Sequence, residues 1–408
     1  MTAQAIGKVP EIRFEEFKDV WQEKVLGELF PITSAARVHK NEWRESGVPF
    51  FRSSDVVSSF KGDENKKAFI SHELYEELSA KVGRVRNGDM LVTGGGSIGI
   101  PYLVKTDEPL YFKDADLLWF KIREAVDSHF IYTFLCSQPF RRYLKNISHI
   151  GTIAHYTVEQ AKGTPVTLPS DFTEQTQISE YFRELDSLLG LHQRKHDKLM
   201  TLKKAMLQKM FPQAGAAVPE IRFQGFERDW VERKLGDVGL FNPKEVRPES
   251  FEYVDLESVV GTEMVSHRTE TKWTAPSRAQ RLAKRGDLFF QTVRPYQKNN
   301  HLFTLPFTNY VFSTGYAQIR PYSDGSFLLG MMQRDQFVKV VLDHCTGTSY
   351  PAINSNVLAD ILVCIPNLEE QQKIGSYFRT LDELISKHAT QLQKLKQIKS
   401  ACLEKMFV

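Results

Sequence analysis

The chain repeats itself, and the repeat constrains its fold more than any other feature. Val9-Pro-Glu-Ile-Arg-Phe14 returns letter for letter as Val218-Pro-Glu-Ile-Arg-Phe223. At the same offset of 209, Phe17, Trp21, Glu23, Leu26 and Gly27 meet Phe226, Trp230, Glu232, Leu235 and Gly236, giving 11 identities over 19 positions. A second pair lies at an offset of 196: Glu174–Phe211 and Glu370–Phe407 share 18 of 38 positions, both ending Lys-Met-Phe. A chain of 408 residues written this way is two half-molecules in tandem.

Between the shared ends lie about 145 residues in the first half and 130 in the second, with only sparse common punctuation. Gly88-Asp89 answers Gly286-Asp287, and Gly151-Thr152 answers Gly347-Thr348. Proline-ended apolar runs close both blocks, at Pro169 and Pro366. Short aromatic or β-branched runs (49–51, 90–93, 117–122, 288–293, 317–321) between turn residues predict strands, and the spacings predict one helix over 127–146 and another over 326–343.

The C-terminal repeats are of another kind. Steps of four and three from Ile178 run through Phe182, Leu185, Leu189, His192, His196 and Leu199. The second copy runs through Ile374, Phe378, Leu381, Ile385, His388, Leu392 and Leu395. Such a stripe, uninterrupted by proline, predicts a long helix that packs on another. The fold expected is α+β: two mixed α/β globules with pseudo-twofold symmetry, separated by two long antiparallel coiled-coil helices; two independent helical hairpins or a homodimeric coiled coil are the other ways to cover such stripes. The boundaries are 1–170 and 214–366 for the globules and 171–213 and 367–408 for the helices.

Catalytic patterns are missing. Thr93-Gly-Gly-Gly-Ser-Ile-Gly99 lacks the Gly-Lys-Ser/Thr ending of a phosphate loop and is followed by a strand-like segment, so it reads as a turn. There is no HExxH, and no Asn-Pro-Pro-Tyr or Asp-Pro-Pro-Tyr box. Four scattered cysteines encode neither a zinc knuckle nor a disulfide framework, and His192 and His196 belong to the helix stripe, so no metal is expected. No apolar run approaches a membrane span, the N-terminus lacks a signal-peptide core, and a reducing cytoplasm is the expected compartment.

Positive charge is local, since the formal net charge is only +3. Lysines and arginines crowd the last turns of both predicted helices. In the blocks, side chains that hold phosphates and read base edges are mixed with aromatics. The candidates are Arg52, Ser53, Arg84, Arg86, Thr93, Ser97, His149, Thr152 and His155 in the first block. In the second they are Arg294, Gln297, Lys298, Asn299, Thr348, Tyr350 and Asn354.

The paired Trp…Leu-Gly openings, the Gly-Asp turns, the Gly-Thr pairs and the Glu-Gln…Ile…Phe…Leu-Asp helix starts resemble the specificity subunit of a type I restriction–modification system. The resemblance implies two target recognition domains with helical spacers, reading a bipartite site on double-stranded DNA without catalysis. It also implies two methyltransferase subunits and ATP-dependent restriction subunits as partners, which would bring S-adenosylmethionine, ATP and magnesium. A coiled-coil scaffold presenting two globular modules to something other than DNA is the alternative.

Overall fold

The computed structural model describes residues 9–123, 126–147 and 155–408. It divides into two compact units: residues up to Leu191 together with Gln391–Val408, and His192–Thr390. Each long helix is therefore shared out, with one half in each unit.

Both helices are 38 residues long, Phe172–Lys209 and Leu368–Lys405. Their starts are capped from just outside: Asp171 Oδ1 accepts from the amide of Thr173 (2.7 Å) and Asn367 Oδ1 from that of Glu370 (2.9 Å). Within the first unit Lys399 Nζ meets Asp186 Oδ1 at 2.5 Å and Tyr181 Oη meets Cys402 Sγ at 3.6 Å. Within the second, Lys203 pairs with Asp382, and His192 Nδ1 meets His388 Nδ1 at 2.8 Å. Rising numbers meet falling ones in both, so each unit contains an antiparallel helix pair. Ile178, Phe182, Leu185, Ile374, Phe378 and Leu381 are buried where the helices cross the globular cores. Leu189, Leu199, Ile385 and Leu395 are half-buried, with Leu395 packed against the core of the first unit and Leu199 against that of the second.

The first unit ties its ends together with strand Gln22–Val25 antiparallel to Pro165–Leu168. Above this lies a sheet in the order Ile32–Thr33, Leu117–Phe120, Met90–Thr93, Pro101–Leu103. A second sheet has Val48–Phe51 parallel to Tyr111–Phe112 and antiparallel to Ala68–Ile70. The second unit repeats the plan. Val231–Lys234 pairs with Leu362–Ile365, and the main sheet runs Gly239–Phe241, Tyr316–Pro321, Leu288–Gln291, His301–Leu302. Its second sheet again holds a parallel pair, Ser250–Val254 with Tyr310–Ser313, flanked by Arg268–Thr271 and Ala279–Leu282. Blocks with little sequence in common thus share one topology. What differs is the covering, since helices Ser53–Lys61 and His72–Val82 of the first unit have no counterpart among the described residues of the second.

The single helices expected over 127–146 and 326–343 are each two. Ser128–Cys136 breaks at Ser137 before Gln138–Ile147, and Gly325–Met332 breaks before Asp335–Asp343. Pro139 supplies no amide to continue the first helix, and Arg334 stands extended (ψ 140°) in the second. Periodicity ran through both breaks because all four helices bury apolar residues in the core of their own unit. Asp127 and Asp324 cap the first helix of each pair, accepting from the amides of Phe130 (2.8 Å) and Phe327 (2.9 Å).

His129, on the first of these helices, stacks on Tyr132 with its Nε2 buried and unpartnered. Burial, then the nearby Arg183, lower its pKa to about 4. The unfolded chain therefore binds a proton near pH 6.5 that the native unit refuses. Stability should fall as the pH drops from about 6.5 toward 4, by roughly 1–2 kcal/mol once partial solvent exposure is discounted. Urea titrations of His129→Phe should show that part of the slope removed; an unchanged slope would assign it elsewhere.

Candidate nucleic-acid interface

The residues common to both repeats build the frame. Glu174, at 1% exposure, accepts two hydrogen bonds from Arg13 (2.6 and 2.7 Å) and one from Trp21 Nε1 (3.1 Å). Glu370, fully buried, accepts the same paired bonds from Arg222 (2.7 and 2.8 Å). Gln175 Nε2 donates to the carbonyl of Pro169 and Gln371 Nε2 to that of Pro366. The Gly-Asp turns hold buried carboxylates. Asp89 accepts from Trp119 Nε1 (2.9 Å) and Arg123 (2.8 Å), and Asp287 from Gln318 Nε2 (2.6 Å) and Arg320 (2.8 and 2.9 Å). None of these groups is left over for a ligand.

The unlike side chains sit where the two units correspond. After strand Met90–Thr93, Gly94 N donates to Asp116 O (2.8 Å), Tyr156 N donates to Gly94 O (2.8 Å), and Gly95 bridges His155. After strand Leu288–Gln291, Thr292 N donates to Gly315 O (2.9 Å), Ile353 N donates to Thr292 O (3.0 Å), and Val293 bridges Ala352. Each unit therefore laces three loops together at one end of its main sheet.

In the first unit these loops gather Thr93, Ser97 and His155, with Ser53 alongside through its hydroxyl donation to Asp116 O (2.9 Å). Thr93 is buried and closes the loop, donating to Ser97 O and accepting from Ile100 N (2.8 Å). Ser97 and His155 are exposed. Gly99 has φ +71°, and a Cβ there would meet Leu144 Cδ1 at 2.2 Å, so this glycine serves internal packing. Arg52 is committed to Asp55 (2.7 and 3.0 Å) and Lys66 O (2.6 Å), and Arg84 to Glu76 (2.5 Å). Arg86 is exposed beside the Asp89 turn, away from these loops. His149 and Thr152 lie outside the described residues.

In the second unit the loops gather Arg294, Gln297, Lys298, Asn299 and Tyr350. Thr348 and Asn354 stand on the same 346–354 segment, both exposed, with Asn354 capping helix Ser355–Asp360. Sequence reasoning passed over the third loop of each set, 113–116 and 313–315, and Arg278, whose carbonyl accepts from Thr314 N (2.8 Å). Their turn residues were the available signal. Among the described residues no group of three or more His, Cys, Asp or Glu side chains is placed to hold a metal ion, and no helix is long and apolar enough to cross a membrane.

Two units of one plan, with a common buried frame and unlike loops at corresponding places, define a protein of two recognition modules. The type I restriction modification DNA specificity domain matches twice, over residues 18–201 and 227–397, and the chain belongs to that family. Among curated relatives, the Haemophilus influenzae type I restriction enzyme HindI specificity subunit is 24% identical over 189 residues, 44% of this chain and 41% of that protein. The Methanocaldococcus jannaschii MjaVIII specificity subunit is 22% identical over 289 residues, 65% of this chain and 67% of the relative. The alignments thus span about 40% of the length of the Haemophilus relatives. The fold is that of the type I restriction–modification S subunit from M. genitalium, with a TM-score of 0.62 at 17% identity over 98% of this chain and 99% of the other.

Proposed function

We propose that this chain is the sequence-specific DNA-binding subunit of a type I restriction–modification complex. Each unit reads one half of a bipartite site on double-stranded DNA. The chain directs two methyltransferase subunits and, through the assembled complex, the restriction subunits to that site. It carries out no catalysis itself; S-adenosylmethionine, ATP and magnesium belong to the partners, and the complex works in the cytoplasm. One observation carries the reading. The arginine–glutamate clamps, the glutamines and the Gly-Asp carboxylates of the frame recur in both units, while the side chains offered by the three laced loops differ, as two readers of two different half-sites require.

Block exchange tests it. Replacing residues 230–366 by the corresponding block of another family member, with the frame strands kept in register, should change one half of the methylated DNA site and leave the other half as it was. A chimera that changes both halves, or neither, would count against independent readers.

A further inference from the structure

We infer that Arg294, laid on the ring of Tyr350, reads a guanine in the half-site recognised by the second unit. This rests on the DNA-reading function proposed above.

The 292–300 loop is fixed at many points, and most of its polar side chains are used in fixing it. Gln297 Oε1 accepts from Gln291 Nε2 (2.8 Å), Lys298 Nζ pairs with Asp335 (2.5 Å), and Asn299 Oδ1 accepts from Gly261 N (2.8 Å). Asn300 closes the base of the loop by accepting from Gln291 N (2.9 Å). Three of the four sequence candidates in this loop thereby have part of their bonding capacity engaged by the loop itself, while Arg294 has no acid on its guanidinium among the described residues.

Its backbone is held in the left-handed region at φ +54°, unusual for an arginine, and its amide donates to Pro351 O (2.7 Å). From there the side chain reaches the neighbouring loop, where the guanidinium lies 4.2 Å from the centroid of the Tyr350 ring. Tyr350 is 64% exposed, and among the described residues no carboxylate pairs with Arg294. A planar cation stacked on an aromatic face has its plane set while its N–H edges stay free. Two parallel donors on one edge match O6 and N7 of guanine in the major groove. A phosphate would accept the same two donors, but such a contact carries no base preference, which is what selection from random duplexes separates.

The first unit lacks this device. Val293 bridges Ala352 as Gly95 bridges His155, so the residue corresponding to Arg294 is Gly96, where an added Cβ would meet nothing within 4 Å. The arginine is therefore a feature of one reader alone.

The test uses the full chain assembled with methyltransferase subunits and selection from a pool of random duplexes. Arg294→Gly removes the side chain and accepts the left-handed backbone. It should erase a guanine preference at one position of one half-site, a loss of discrimination of roughly ten- to a hundredfold, with the other half-site unchanged. Arg294→Lys should keep overall affinity and lose the same preference, whereas Tyr350→Phe, which retains the ring, should keep it. An unchanged consensus for Arg294→Gly, or equal weakening on all sequences, would overturn the assignment to a base. A wild-type complex that selects no consensus would overturn the DNA-reading function itself, and the inference with it.

Discussion

Deleting residues 391–408 is expected to unfold the first unit, although its own globular block lies hundreds of positions earlier. Cys402, Met406 and Phe407 are buried in that unit's core. The ring of Phe407 meets those of Phe130 at 5.5 Å, Phe182 at 6.1 Å and Trp21 at 6.5 Å. The amide of Ile12 donates to Lys405 O at 3.0 Å. Phe407→Ala alone should cost about 3–5 kcal/mol, and losing the whole segment approaches the roughly 5–15 kcal/mol by which domains are stable. Limited proteolysis should then cut within residues 9–191, and a peptide of residues 391–408 added in trans should restore protection. A truncated chain that resists protease as the full chain does would refute the sharing of this helix between units.

Glu370→Ala should cost about 3 kcal/mol in urea unfolding, because it takes both carboxylate bonds from the Arg222 guanidinium, whose side chain is only 14% exposed and which keeps the Arg228 carbonyl (2.6 Å). Glu174→Ala should do the same through Arg13, and there Trp21 Nε1 also loses its acceptor. Removing Arg222 and Glu370 together should recover part of the loss, since the penalty lies mainly in the unpaired buried charge. A cost under about 1 kcal/mol for the single substitution would show that solvent reaches the pair.

These two expectations show how sequence and structure divide the information. Glu174, Glu370, Arg13 and Arg222 announce themselves by repetition, so the tandem plan, the helix stripes and the equivalent turns at Asp89 and Asp287 are legible without coordinates. Their partners are not. Arg13 and Glu174 are far apart in the chain, and nothing local in Val-Pro-Glu-Ile-Arg-Phe says that its arginine clamps a helix start.

The candidate interface was legible to a similar depth. Arg294 and Tyr350 could be selected by residue type, but so could Arg52, Arg84 and Lys298, whose charges already face Asp55, Glu76 and Asp335. Residue type states what a side chain can bond to; only the fold decides whether a neighbour has already taken that capacity. The common topology of the two blocks was invisible for a related reason. A strand needs only an apolar face and the right turn at each end, and many sequences meet that requirement, so the blocks diverged while the parallel pair and the strand order of the main sheet stayed the same.

Repetition in this chain therefore determined the tandem plan, and periodicity the long helices and the residues they bury, because one apolar face every three to four residues permits few alternatives. The tertiary structure alone decided that each helix is shared between two units and that Phe407 completes the first of them. It alone left one arginine of the 292–300 loop without an acidic partner among the described residues. Those outcomes depend on contacts between residues distant in sequence, whose energies no local pattern encodes.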